Sequence, residues 1–408
     1  MPAINPQRLL NDLRQLRTFG AHGNGVVRLA LSPIDMESRR WLVGRLAEAG
    51  LEARIDGIGT VFGRSRGTGR ALLIGSHTDT QPTGGWLDGA MGVIYGLEIA
   101  RALRESPDTR DLAVDVASWI DEEGTYAGFI GSRSFCGEPV SEVVARARNR
   151  EGQPMSDALR AAGIAGQPLA QMEPGRYVAY LEPHIEQGGR LEAAGKRIGV
   201  VTSIVGIREL RIAFRGQQNH AGTTPMEVRR DAGAALIRFA SVMDGAFRAL
   251  AGPQTVWNIG RVEFSPGSAS VVPGAAEMVL QVRDPEAARL DALEAKVTAL
   301  ADAVNAAGTV GASVGPFDDP VAPTVMNDDV QNHIARAAER HVPGGWMHMA
   351  SAAGHDAQVI AGRLPCGMLF VPSIAGISHD FAEDTSEDDI VLGCQVAATA
   401  VASILQNA

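Results

Sequence analysis

Apolar residues recur at intervals of three and four over residues 5–19, with Leu9, Leu10, Leu13 and Leu16 on one face. They recur again over residues 35–49 through Trp41, Leu42 and Leu46. This spacing predicts two opening helices. Short apolar runs follow at residues 71–75 and 112–120, each ending in a polar, glycine-bearing turn, with a helical pattern over 91–103 between them. Strand, loop, helix, strand is the order of an α/β sheet. Strand ends in such sheets aim side chains into a shared crevice, so His77 and the acidic residues 121–123, each just past a strand end, are expected to meet.

The rhythm changes after Val205. Residues 209–215 alternate as a strand, 226–249 read as a helix, 255–264 and 276–282 as strands, 285–307 as a helix and 310–314 as a last strand. That order, β-α-β-β-α-β, is the ferredoxin-like split motif. In the alanine-rich helix, Leu290, Leu293, Val297 and Leu300 supply the buried stripe. From about Asp328 the alternation of helices and short strands resumes. The expected division is therefore a first domain of residues 1–206 completed by 326–408, with 207–325 inserted as a second. A chain of 408 residues is long enough for this, since one core serves about 150 residues.

Charge narrows the partners. With 37 basic against 47 acidic residues and a net charge of −10, no basic footprint for nucleic acid or an anionic membrane is present in the sequence. Cys136, Cys366 and Cys394 are odd in number and form no C-x-x-C pattern. Neither a disulfide framework nor a thiolate zinc site is indicated, and a reducing cytoplasm is expected. The first residues lack the pattern of an export leader, and no uninterrupted apolar stretch approaches the ~20 residues that cross a bilayer.

The chemistry lies in five scattered segments: Gly75-Ser-His77-Thr-Asp79, Gly84-Gly-Trp-Leu-Asp88-Gly89, Asp121-Glu122-Glu123-Gly124, Glu182-Pro-His184-Ile-Glu186-Gln187-Gly188 and Gly376-Ile-Ser-His379. Singly, each has an ordinary reading. A histidine after a strand is a satisfied turn residue, a glycine-flanked aspartate is a turn, and Asp-Glu-Glu is a solvated acidic turn. Together they supply three imidazoles and a surplus of carboxylates, the donors that two divalent cations sharing one carboxylate need. Oxygen and nitrogen donors without thiolate suit zinc, manganese, cobalt or nickel. Asp79, two positions after His77, is close enough to orient the imidazole through its second ring nitrogen. Glu122 and Glu123, being adjacent, point in different directions, so that one can bind metal while the other faces the water.

In order and spacing these segments resemble the hydantoinase/carbamoylase branch of the dinuclear (M20-like) metallopeptidase superfamily. That branch holds N-carbamoyl-L-amino acid amidohydrolases, β-ureidopropionases and allantoate amidohydrolases. The strings His184-Ile-Glu-Gln-Gly188 and Asn219-His-Ala-Gly-Thr-Thr-Pro-Met226 carry the resemblance most specifically. It implies a three-layer α/β/α catalytic domain with an inserted ferredoxin-like α+β domain serving as lid and dimer interface. It also implies one ion on His77 and His184, a second on Glu123 and His379, and Asp88 between them. Glu122 would be the general base and Asp79 its companion. His220 would stabilise the oxyanion in the partner subunit's site. Substrate would be met by Gln187, His220, Ser270, Arg283, Gly354 and His355, with Arg283 on the substrate carboxylate. Without the resemblance, Arg283 reads as an edge-strand ion pair with Asp284 or a neighbour.

The sequence departs from the branch at Ser270, where asparagine is usual, and a single hydroxyl cannot reproduce the donor-and-acceptor pair of a carboxamide. Thr78, Gln81, Tyr126, Ala127, Ala352 and Phe381 also depart, and none of them removes a metal ligand. The expectation is hydrolysis of the C–N bond of an N-carbamoyl amino acid or related ureido acid in a cytoplasmic homodimer. An aminoacylase or peptidase on the same ions, or a non-catalytic metal-containing binding protein, are the alternatives.

Overall fold

Every residue of the strands Ala71–His77 and Ala113–Trp119 is buried, the condition of parallel strands covered on both faces. In the computed structural model, which describes residues 2–66, 69–317 and 320–408, these two strands pair in parallel at the centre of one sheet. The sheet runs in the order Thr324–Val325, Ile198–Ile204, Cys366–Val371, Tyr177–Ile185, Ala71–His77, Ala113–Trp119, Val61–Arg64, Glu52–Ile55, and Trp346–Ser351 pairs with Ile198–Ile204. The four strands from Cys366–Val371 to Ala113–Trp119 are parallel to one another. The strands flanking them are antiparallel.

Side chains alternate across this sheet. Leu72, Ile74, Val114 and Val116 share a core with the helices Ala90–Glu105 and Glu387–Gln406. On the opposite face Trp119 packs its ring 5.0 Å from that of Phe135, in the helix Ile130–Phe135. Helices thus cover both faces, giving the three layers expected. Glu387–Gln406 is apolar and long enough to span a bilayer, but most of it is buried within this core, and Glu387, Asp388 and Asp389 occupy its first turn. The opening helix Pro6–Thr18 starts at Asn5, whose side chain accepts the Arg8 N–H ahead of Pro6.

Residues Met1–Thr202 with Val325–Ala408 make one compact unit, and Ser203–Thr324 make another. The second is a four-stranded antiparallel sheet in the order Val256–Ser265, Ala275–Asp284, Gly206–Arg215, Gly311–Pro316. Leu210, Ile212, Phe214, Met278, Leu280 and Val282 point to one face, where they pack with the helices Ala232–Leu250 and Ala287–Ala306. This is the ferredoxin-like arrangement. One expected element is corrected. Residues 226–249 do not form a single helix, because Met226–Val228 is an exposed 3-10 turn and the helix begins at Ala232, capped by the Asp231 side chain on Ala234 N–H.

Candidate metal centre

The parallel strands end close together. His77 is the last residue of Ala71–His77, His184 lies one residue before the end of Tyr177–Ile185, and residues 121–123 follow Ala113–Trp119. Asp88 enters from the turn ahead of helix Ala90–Glu105. Gly89, at φ +63°, permits this approach, because a Cβ there would lie 2.4 Å from His77 Nε2. His379 comes from the loop before the last helix, also in the left-handed region at φ +54°.

Asp88 is buried and turns its two oxygens in different directions. Oδ1 lies 3.3 Å from His184 Nε2 and 3.8 Å from His77 Nε2, and Oδ2 lies 3.4 Å from His379 Nε2. Glu123 Oε2 is 3.9 Å from His379 Nε2, and Glu122 Oε2 is 3.7 Å from His77 Nε2. The Gln187 carboxamide donates to both Asp88 oxygens, at 3.1 and 3.2 Å, from a backbone at φ +57°. Thus His77, Asp88, Glu122, Glu123, His184, Gln187 and His379 converge.

The tautomers show what this cluster is built to hold. His77 Nδ1 lies 2.9 Å from the Asp79 carbonyl and His184 Nδ1 lies 3.0 Å from the Ile185 carbonyl. A carbonyl can only accept, so each ring carries its proton on Nδ1 and presents the Nε2 lone pair to the acids. Burial lowers the pKa of both imidazoles, against the opposing pull of Asp88, which keeps them in the neutral form that binds metal. His184 Nε2 also accepts the Gly89 N–H at 3.1 Å, and a divalent cation relieves the remaining approach of imidazole lone pairs to carboxylate oxygens. Glu123 Oε1 is also buried without a hydrogen-bond partner. The residues therefore fit divalent cations.

Electrostatics agree. Burial and then the charges of Glu123, Asp356, Asp88 and Asp79 push Glu122 well above the ordinary carboxylate range. Burial and Asp88 do the same to Glu123. His379, half exposed, is pushed up to about 9, chiefly by its hydrogen bond to Asp88. Burial works to raise Asp88 too, but its hydrogen bond with His379 and the electrostatic pull of the surrounding histidine rings hold it below its usual value.

Asp79 requires a correction. Its backbone carbonyl, not its carboxylate, meets the His77 ring. The carboxylate accepts the N–H groups of Asp121 (3.1 Å) and Glu123 (3.3 Å) and faces the Arg39 guanidinium at 3.5 Å. It ties the His77 segment to the acidic turn. His355 is buried, packs its ring edge-on 4.6 Å from that of His184, and shares a hydrogen bond with Ser351 Oγ at 2.9 Å. A Cβ on Gly354 would stand 3.1 Å from Phe129.

Three expected site residues belong to the second unit. His220 is exposed on the two-residue strand Asn219–His220, paired with Val271–Val272, and Ser270 accepts the Ala221 N–H through its carbonyl. His220 Nδ1 accepts N–H groups from Gly222 (3.0 Å) and Thr223 (3.2 Å), so its ring proton sits on Nε2. Arg283 donates from Nε to Gln281 Oε1, while Asp284 pairs with Arg289 at 3.2 Å.

Sequence reasoning missed several supports. Gln81 donates to Glu123 Oε2 at 2.7 Å, and Glu383 bonds the backbones at Asp88 and His379. Arg39 is buried beneath the site on Asp35. The i,i+4 spacing of Asp35 and Arg39 was visible, but it reads equally as a surface pair.

A donor set of this kind at the strand ends of an α/β sheet is that of a metal-dependent hydrolase. Residues 73–403 match Peptidase family M20/M25/M40, and the chain belongs to that family. It is 34% identical over 406 residues to an N-carbamoyl-L-amino-acid amidohydrolase of Rhizobium meliloti, covering 96% of this chain and 95% of the relative. It is also 34% identical over 403 residues to the allantoate amidohydrolase of Escherichia coli K12, covering 96% of each. The crystal structure of an amidase of the hydantoinase/carbamoylase family from Burkholderia phymatum is similar with a TM-score of 0.94 and 58% identity, over 100% of this chain and 99% of that one. The branch read from the motifs is thus the one the comparisons return.

Proposed function

We propose that this chain hydrolyses the C–N bond of an N-carbamoyl amino acid or a closely related ureido acid, with two divalent ions (zinc, manganese, cobalt or nickel) per chain. The observation that carries the reading is Asp88, one oxygen facing His77 and His184 and the other facing His379. His77 and His184 would hold one ion, Glu123 and His379 the other, and Asp88 would be shared. When bound, such ions acidify water and polarise a carbonyl.

The remaining chemistry belongs to the chain. Glu122, 8% exposed and pressed by neighbouring acids, has the proton affinity of a general base. It takes the proton of the attacking water and returns it to the departing nitrogen. Asp79 holds the turn that carries Glu122. His220, with its proton on Nε2, is the donor for negative charge developing on the carbonyl oxygen. Arg283 grips the substrate carboxylate. Gln187 and His355 stand beside the ligand cluster, and the resemblance gives Ser270 and Gly354 further substrate contacts. The names of the relatives support a ureido acid, and the single hydroxyl of Ser270 leaves an N-acyl amide as the competing substrate class.

Two copies are expected to associate through the second unit in the cytoplasm. Ile237 and Val242 on helix Ala232–Leu250, with Val262 and Phe264 on the edge strand Val256–Ser265, are exposed apolar residues that support a covered face.

Chelation should abolish turnover and any of the four ions should restore it to some degree. Ammonia should be released from N-carbamoyl amino acids faster than amine from N-acetyl analogues, and the reverse order would favour an aminoacylase. Glu122→Gln should retain its ions while kcat falls by about 10²–10⁴-fold. A near wild-type rate in that variant would sink the assignment of the base.

A further inference from the structure

Glu383 lies in none of the roles above, yet its carboxylate touches both segments that bring Asp88 and His379 together. Oε1 accepts the Asp88 N–H at 3.2 Å. Oε2 accepts the Ser378 hydroxyl at 2.8 Å and the His379 N–H at 3.3 Å. The side chain is buried, and Gly85 makes room for it, since a Cβ at position 85 would stand 1.8 Å from Oε1.

The two segments are joined at other points as well. Thr83 donates to the His379 carbonyl at 3.2 Å, and Trp86 Nε1 donates to Asp384 Oδ1 at 3.1 Å. Among the described residues, only Glu383 bonds the backbone of both facing residues. His379 also needs such a hold, because it is a non-glycine residue at φ +54°, a conformation that is unfavourable unless its surroundings impose it. Each oxygen of Glu383 accepts a backbone N–H, so the side chain serves both amides at once; a carboxamide has one accepting oxygen.

We infer that Glu383 is the positioning residue that fixes the approach of Asp88 to His379 and so builds the half of the centre holding the second ion. The inference rests on the two-ion reading above. Its subject is a side chain acting through two backbone amides, so it touches neither substrate nor ion.

The test compares wild type, Glu383→Gln and Glu383→Ala by equilibrium dialysis against zinc and cobalt. Far-UV circular dichroism, the melting temperature of metal-free protein and the visible absorption of cobalt-loaded protein are followed in parallel. Wild type is expected to take up two ions per chain. Both variants should bind the second ion about 10–100-fold more weakly, the usual effect of losing a group that orients a ligand, and the first, which His77 and His184 also hold, by a smaller factor. Their cobalt spectra should change and their circular dichroism should not. Gly85→Ala, which displaces the carboxylate while Glu383 remains, should reproduce the loss. Two ions bound with wild-type affinity by both Glu383 variants would overturn the inference. So would weakening that merely tracks a fall in metal-free melting temperature, or loss of fold in both, since a positioning role leaves the scaffold standing. Uptake of a single ion by wild type would instead count against the two-ion reading.

Discussion

Arg39 is fully buried. Its guanidinium pairs with Asp35 at 2.9 Å, faces Asp79 at 3.5 Å and donates to the carbonyls of Gly59 and Ser118, each at 3.2 Å. Taking the cation away strands two fully buried carboxylates, a loss of about 3–5 kcal/mol for a broken buried pair. Arg39→Met should lower the unfolding free energy of metal-free protein by that order in a denaturant titration. Gly89 makes a narrower demand. Gly89→Ala places a methyl 2.4 Å from His77 Nε2 at a backbone of φ +63°, so ion affinity at His77 and His184 should fall by at least tenfold in a dialysis measurement. Residue types were legible at this scale, because an ion needs imidazole and carboxylate and the sequence prints them beside glycine. Atoms were not. Asp79 was expected to orient His77 with its side chain, and its carbonyl does so, because the carboxylate is drawn to Arg39 and two N–H groups that only folding brings near.

Elements follow the same division between pattern and context. Fully buried runs such as Ala71–His77 announce themselves by apolar continuity, and the ferredoxin-like unit by alternation. Helix starts depend on one side chain finding N–H groups, and apolar periodicity overran that signal at residues 226–231. Residues 226–228 lay inside the expected helix, yet Met226 and Val228 are 72% and 67% exposed. Asp231 sets the start instead, accepting the Ala234 N–H at 2.9 Å. Asp231→Ala should cost about 1 kcal/mol (0.5–2), visible as a lower melting temperature with ion uptake unchanged. A variant as stable as wild type would remove the cap from the account of this helix. Strand Tyr177–Ile185 was harder to read, since Glu182, Pro183 and His184 interrupt its apolar run; Ser76 Oγ and Ala357 N–H satisfy Glu182 inside the sheet.

At the scale of the whole molecule, the proposed association of two copies would link the exposed apolar residues of the second unit to catalysis. If His220 serves the partner's reaction, a dimer carrying His220→Ala on one chain and Glu122→Gln on the other has one site with both groups intact and one with neither. Random mixing makes half the dimers of this kind, so an inactive pair of variants should recover about a quarter of wild-type activity once subunits exchange in a closed two-fold dimer. Phe264→Glu, which puts a charge on the exposed edge strand, should block that recovery and shift the mass measured by sedimentation to that of one chain, while ion uptake per chain is retained. Wild-type activity of Phe264→Glu protein shown to be monomeric would mean that His220 acts within its own chain. No recovery in verified mixed dimers would mean that each subunit's histidine is not the donor its neighbour uses.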